Sequence, residues 1–204
     1  MAGKKGTRAQ EILQALARML ETSKGRITTA ALAAELGISE AALYRHFPSK
    51  TRMYESLIDF IEETIFGRVR SIVSEEPDAV NQCYRILSLV IAFCQKNPGI
   101  TRILNGDALA IESEKLHGRV AQFFDRLESQ LKQALREAEV RDGLKLNVPV
   151  SVAANLMLVT VEGKISQYVR SDFATSPNQH WAEQWQLLTA GIFESQSSRL
   201  MTTA

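Results

Sequence analysis

The sequence predicts an all-α protein of about nine helices, arranged as a small N-terminal helix-turn-helix head and a larger helical body. Three features predict this class. Apolar residues recur at three- and four-residue spacing along most of the chain, the period of one helix face. Cap residues and breakers punctuate it at helix-like intervals. No stretch shows the alternation of a half-buried strand, and there is neither an internal repeat nor a low-complexity tract.

Each element has a local reason. In RAQEILQALARMLE, Ile12, Leu13, Leu16, Met19 and Leu20 share one stripe, which SKGRI then breaks. TTAALAAELG opens at a threonine N-cap and stops at Gly37, a residue suited to the left-handed conformation past a helix end. Ser39 caps a short helix over 40–46. Pro48 ends it, because the residue before a proline is pushed out of the helical region. Ser49 caps a long helix over 50–73, and SEEPDA forms a turn. The segment 79–96 is apolar almost all round and is expected to be buried among its neighbours. NPG at 97–99 reads as a turn, followed by a short helix, ITRILN. The long helix expected over 108–139 carries Leu109, Leu116, Val120, Phe123, Phe124, Leu127, Leu131 and Leu135 at core spacing. RDGLKLN is a loop, Asn147 is expected to cap a helix over 148–173, and the last helix spans 179–197.

Charge divides the chain. Residues 1–52 hold nine Lys and Arg against four Glu, a surplus of +5, whereas the remainder holds fifteen bases against nineteen acids. A basic head on a mildly acidic body points to a polyanion as the partner of the head. No apolar run is long enough to predict a membrane span, and the N-terminus does not read as a secretory signal. Cys83 and Cys94, eleven residues apart in one apolar segment, read as small core residues of a protein in a reducing cytosol.

The segment 28–46 is a helix, a glycine-containing turn and a second short helix, the pattern that sets its second helix into a DNA major groove. Ser39, Glu40, Ala41 and Ala42 occupy the N-terminal end of that second helix. Small residues there allow close approach, and their methyls can meet thymine methyls. Tyr44, Arg45 and His46 are read as pointing outward to phosphates, with Arg45 also suited to guanine, while Leu43 and Phe47 pack inward. Lys50 opens the following helix, where its ammonium and the free backbone N–H groups make an anion site. Thr28 and Thr29 do the same at the start of the preceding helix.

The string TTAALAAELGISEAALYRHFPSKTRM resembles the DNA-binding head of the TetR family of dimeric helical regulators. That resemblance implies a DNA-binding domain over 1–53, a dimerisation and partner-binding domain over 54–204, and a homodimer held by the last two long helices. Further stretches (KNPGITRILNGDAL, LHGRVAQFFDRLESQLKQALRE and YVRSDF) are similar to the nucleoid-occlusion branch of that family. The branch resemblance implies a cytoplasmic, nucleoid-associated protein. Bound to palindromic chromosomal sites, it would antagonise assembly of the tubulin-like division protein FtsZ. It also implies that the FtsZ C-terminal tail is gripped by Phe60, Arg68, Leu89, Ala92, Lys96 and Asn97, with apolar residues as a floor and cations at the rim. Ala92 stands where that branch tends to have glycine, and Lys96 where it tends to have arginine. The second change loses the planar fork that holds a carboxylate in two places, so a different partner affinity is expected.

Other chemistry is not indicated. His46, His117 and His180 have no metal-ligand spacing with either cysteine. EGKIS lacks the upstream glycine of a phosphate loop, and no nucleophile–base arrangement is visible, so neither a cofactor nor an enzyme activity is expected. Glu112 and Glu114 read as a solvated helix face. Trp181 and Trp185, four residues apart, face one side and read as core or dimer contact. Two rival readings stay open: a ligand-responsive transcriptional repressor with an apolar cavity in its body, and an architectural DNA binder.

Overall fold

The structure is a computed structural model that describes residues 2–22, 27–109 and 114–194, with side chains described from Arg8 onward. The predicted break at 23–26, Glu112 and the predicted helical residues 195–197 lie outside the described residues. Among the described residues the helices are α1 (Ala2–Thr22), α2 (Thr29–Glu35), α3 (Glu40–Tyr44), α4 (Lys50–Glu75), α5 (Ala79–Lys96), α6 (Pro98–Asn105), α7 (Glu114–Arg141), α8 (Val150–Arg170) and α9 (Trp181–Ile192). A 3-10 turn covers Asp107–Leu109. The chain forms two compact units, Met1–Thr64 with Cys94–Gln122, and Ile65–Phe93 with Phe123–Ala204.

In the first unit, α1 buries Ile12, Leu16 and Leu20 of the stripe read from the sequence, together with Ala15, whereas Leu13 and Met19 of that stripe are only half-buried. Thr28 caps α2 by accepting from the Ala31 N–H at 3.1 Å. Gly37 follows α2 at φ +63, where its N–H donates to the Ala34 carbonyl and that of Ile38 to the Ala33 carbonyl. Ser39 caps α3 through the Ala42 N–H at 3.2 Å, and Ser49 accepts from the Arg52 N–H at the start of α4. Gly99 brings α6 against α1, because a Cβ there would overlap the Ala17 carbonyl oxygen. Thr101, fully buried, donates its hydroxyl to the Cys94 and Asn97 carbonyls and so secures the turn into α6.

A buried carboxylate ties α4 to α7 within this unit. Glu55 accepts from Lys115 at 2.6 Å and from Arg52 at 2.7 Å, and these two hydrogen bonds hold its carboxyl below the ordinary carboxylate range. Arg119 extends the network to Asp59 and Glu62, each at 2.8 Å.

In the second unit, Trp181 and Trp185 are buried on Tyr84, and the Trp181 indole N–H donates to the Ser88 hydroxyl at 2.7 Å. The pair is therefore core in this chain, in line with its reading as core or dimer contact. Phe66 packs edge-on to Phe123 and carries the Arg126 guanidinium over its face. Lys164, 7% exposed, sends its ammonium to the Gln179 carbonyl at 2.8 Å, which pins the loop leading into α9.

Several boundaries differ from expectation. The short α3 ends at Tyr44, not residue 46, although His46 and Phe47 still donate to the Leu43 carbonyl. Pro98 and Gly99 are the first residues of α6 and not a turn, since proline is suited to a first helical position. The helix α7 starts at Glu114, preceded by the 3-10 turn. Asn147 does not cap α8. Its amide donates to the Gly191 and Phe193 carbonyls instead, and α8 runs only from Val150 to Arg170 behind Pro149. At its far end Asp172 and Phe173 adopt φ of +48 and +66, conformations a helix cannot continue. The helix α9 begins at Trp181 and stops at Ile192, where Phe193 turns extended and bridges to Leu146. The segment 79–96 is not buried all round, since Asn81, Ala92, Gln95 and Lys96 are exposed.

Candidate nucleic-acid interface

The geometry of the head follows from the two serine and threonine caps and Gly37. They fix α2 and α3 as separate short helices joined by a tight turn, with Leu32, Ala33, Leu43 and Phe47 buried beneath. Glu40, Ala41, Tyr44 and Arg45 are left exposed, Thr28 and Ser39 are exposed beside their caps, and Ala42 is half-buried.

Three of the candidates form one chain of hydrogen bonds. The Thr29 hydroxyl donates to Glu40 Oε2 at 2.7 Å, and the Tyr44 hydroxyl donates to Thr29 Oγ1 at 3.3 Å. This link crosses from α2 to α3 between residues 11 and 15 positions apart, so no local pattern announced it. Lys50 sits in the first turn of α4 with its ammonium 5.4 Å from the Tyr54 ring centroid, a cation–π placement.

His46 corrects the outward reading. It is half-buried, and its Nδ1 is sealed from solvent without a hydrogen-bond partner, so only Nε2 is available to an outside group. Arg52, two residues beyond Lys50, is mostly exposed and pairs with Glu55 three residues on, a local helix pair.

The body candidates are divided between the two units. Phe60, Lys96 and Asn97 belong to the first, where Phe60 is 46% exposed, an unusual position for a phenyl ring, and Lys96 is exposed. Arg68, Leu89 and Ala92 belong to the second, with Arg68 and Ala92 exposed and Leu89 half-buried. The second unit also shows an open cleft of about 720 Å³ lined by Asp78, Asp142, Leu144, Lys145, Gln186 and Phe193, among others. It is open to solvent and lined by apolar and charged side chains together. Cys83 and Cys94 are buried, and burial pushes both thiols up to about 12. Among the described residues no helix is long and apolar enough to cross a membrane, and no cluster of His, Cys, Asp and Glu is placed to hold a metal.

A capped helix-turn-helix is the arrangement of a DNA-binding domain. Residues 12–57 match the family described as Bacterial regulatory proteins, tetR family, and residues 77–192 match the SlmA-like family described as Tetracyclin repressor-like, C-terminal domain. The chain is 53% identical to a nucleoid occlusion factor SlmA of Shewanella loihica, over 95% of this chain and 99% of that protein. It is 55% identical to the nucleoid occlusion factor SlmA of Alteromonas mediterranea, over 90% and 95% of the two chains. The crystal structure of a TetR transcription regulator from Haloarcula marismortui shares the fold, with a TM-score of 0.76 at 18% identity over 93% of this chain and 100% of that one. The chain belongs to the SlmA family within the tetR regulators. Members of this regulatory family bind DNA and are not enzymes.

Proposed function

We propose that the protein is a nucleoid occlusion factor: a homodimer that binds palindromic chromosomal DNA and, when bound, engages the C-terminal tail of FtsZ and antagonises its assembly. The observation that carries this reading is end-to-end identity above one half with proteins named for nucleoid occlusion, body as well as head. In this reading residues 1–53 form the DNA-binding domain and 54–204 the dimerisation and partner-binding domain, and the protein works in the cytoplasm on the nucleoid.

Each α3 enters a major groove. Ser39, Glu40, Ala41 and Ala42 face the bases, Thr28, Arg45 and Lys50 face the phosphates, His46 can offer them only its Nε2, and Thr29 and Tyr44 orient Glu40 between them. A two-fold dimer mirrors an inverted repeat, which is why the sites are palindromic. The dimer is held through α8 and α9. Val152, Leu156 and Val159 recur along one exposed face of α8, and Leu187 of α9 is 76% exposed, apolar surface that a second copy would cover. Phe60, Leu89 and Ala92 supply apolar contact to the FtsZ tail, and Arg68, Lys96 and Asn97 supply charge and hydrogen bonds to its acidic and amide groups.

The test is sedimentation of FtsZ polymers and capture of an FtsZ tail peptide, each with and without palindromic DNA, with Arg68→Glu as the control. The expected result is reduced polymer and increased capture when DNA is present, both lost in Arg68→Glu while DNA binding is kept. FtsZ behaviour indifferent to the DNA-bound protein overturns the mechanism.

A further inference from the structure

We infer that Glu40 is a specificity residue that reads a cytosine in each half-site. The inference rests on the DNA-binding reading above and extends it to the identity of a base. Glu40 is exposed in the first turn of α3, the end of a recognition helix that meets base edges. A carboxylate on the face that meets a polyanion opposes binding unless it finds a donor there, so its presence asks for one.

The local hydrogen bonds say what kind of donor. The Thr29 proton goes to Glu40 Oε2 and the Tyr44 proton goes to Thr29. Both hydroxyl protons are directed along a chain that ends on the carboxylate. That chain orients the carboxylate and leaves its remaining lone pairs as acceptors only. In the major groove, the base donors available to an acceptor are cytosine N4 and adenine N6. Adenine places N6 beside N7, whose lone pair repels the second carboxylate oxygen. Cytosine places N4 beside C5–H, which does not. Cytosine is therefore the better match.

An acid in the first turn also steadies α3 through the helix dipole. That role acts alike on every DNA sequence, and this difference makes the two roles separable. The full-length protein, Glu40→Gln and Glu40→Ala are each used to select inverted repeats from a random duplex library, followed by titration of the selected and random duplexes at one salt concentration. Wild type is expected to prefer cytosine at one position per half-site by roughly five- to tenfold. Glu40→Gln is expected to move that preference to adenine, whose N6 and N7 a carboxamide satisfies together. Glu40→Ala is expected to lose it, and both variants should bind random duplex more tightly because a like charge is gone. An unchanged base preference, with affinity scaled by one common factor across sequences, overturns the inference. Failure of all three proteins to select any sequence overturns the DNA-binding reading itself and this inference with it.

Discussion

Replacing Gly99 by alanine tests whether α6 is seated on α1 by backbone contact. The new Cβ would overlap the Ala17 carbonyl oxygen and stand 2.8 Å from the Glu21 nitrogen and 3.0 Å from the Ala17 carbonyl carbon. These neighbours are main chain of a helix and cannot rotate aside. Relief requires α6 to withdraw from α1, which loosens the packing of Ile100, Ile103 and Leu104, all buried. Overpacking of this kind costs about 1–3 kcal/mol, and an immovable neighbour places it at the upper end. The lower entropy of the unfolded alanine chain offsets about 0.4–1 kcal/mol of that. A net loss of about 2 kcal/mol follows, which for a chain of this size lowers Tm by roughly 4–8 °C. Circular dichroism melts of Gly99→Ala beside Gly67→Ala provide the measurement. At Gly67 a Cβ meets only the Arg70 guanidinium at 3.9 Å, so alanine inside α4 is expected to leave Tm unchanged or raise it slightly. A Gly99→Ala protein that melts with wild type refutes the close-approach argument.

Three further outcomes are expected. Glu55 has a folded pKa below its unfolded value, so its contribution is complete above the ordinary carboxylate range and is lost as pH falls through the lowered value. Glu55→Gln should therefore be less stable than wild type at pH 7 in urea titrations, and the gap should close on acidification. Cys83 and Cys94, buried with thiols near 12, should resist a thiol reagent at pH 8 in the folded protein and react fully in denaturant, and prompt labelling without denaturant would contradict their burial. Lys50→Ala should weaken all duplexes alike and reduce the slope of log affinity against log salt by about 0.9 for each subunit of the dimer, whereas Ala42→Ser should change base preference at nearly constant slope. The reverse pattern in gel shifts would exchange the assigned roles.

What was legible in the sequence was local. The caps at Thr28, Ser39 and Ser49, the left-handed Gly37 and the apolar stripe of α1 all involve residues within a few positions of each other. Their physics is settled by short-range sterics and hydrogen bonds before any helix meets another. The helix-turn-helix segment was legible for the same reason, since its two short helices and their turn are consecutive.

Where expectation failed, distant partners decided. Asn147 has the chemistry of a cap, but the carbonyls of Gly191 and Phe193 compete for its amide. Only the folded chain brings them near. The pattern of α5 looked apolar all round, yet which side is covered depends on neighbours that its own sequence does not specify. The coupling of Thr29, Glu40 and Tyr44, the sealed Nδ1 of His46, and the Glu55 carboxylate shared by Arg52 and Lys115 belong to the same class. Thus the sequence by itself determined which segments are helical and the caps at Thr28, Ser39 and Ser49. Tertiary structure alone decided which polar groups pair across helices and which apolar faces stay open, because those energies depend on contacts between residues far apart in the chain.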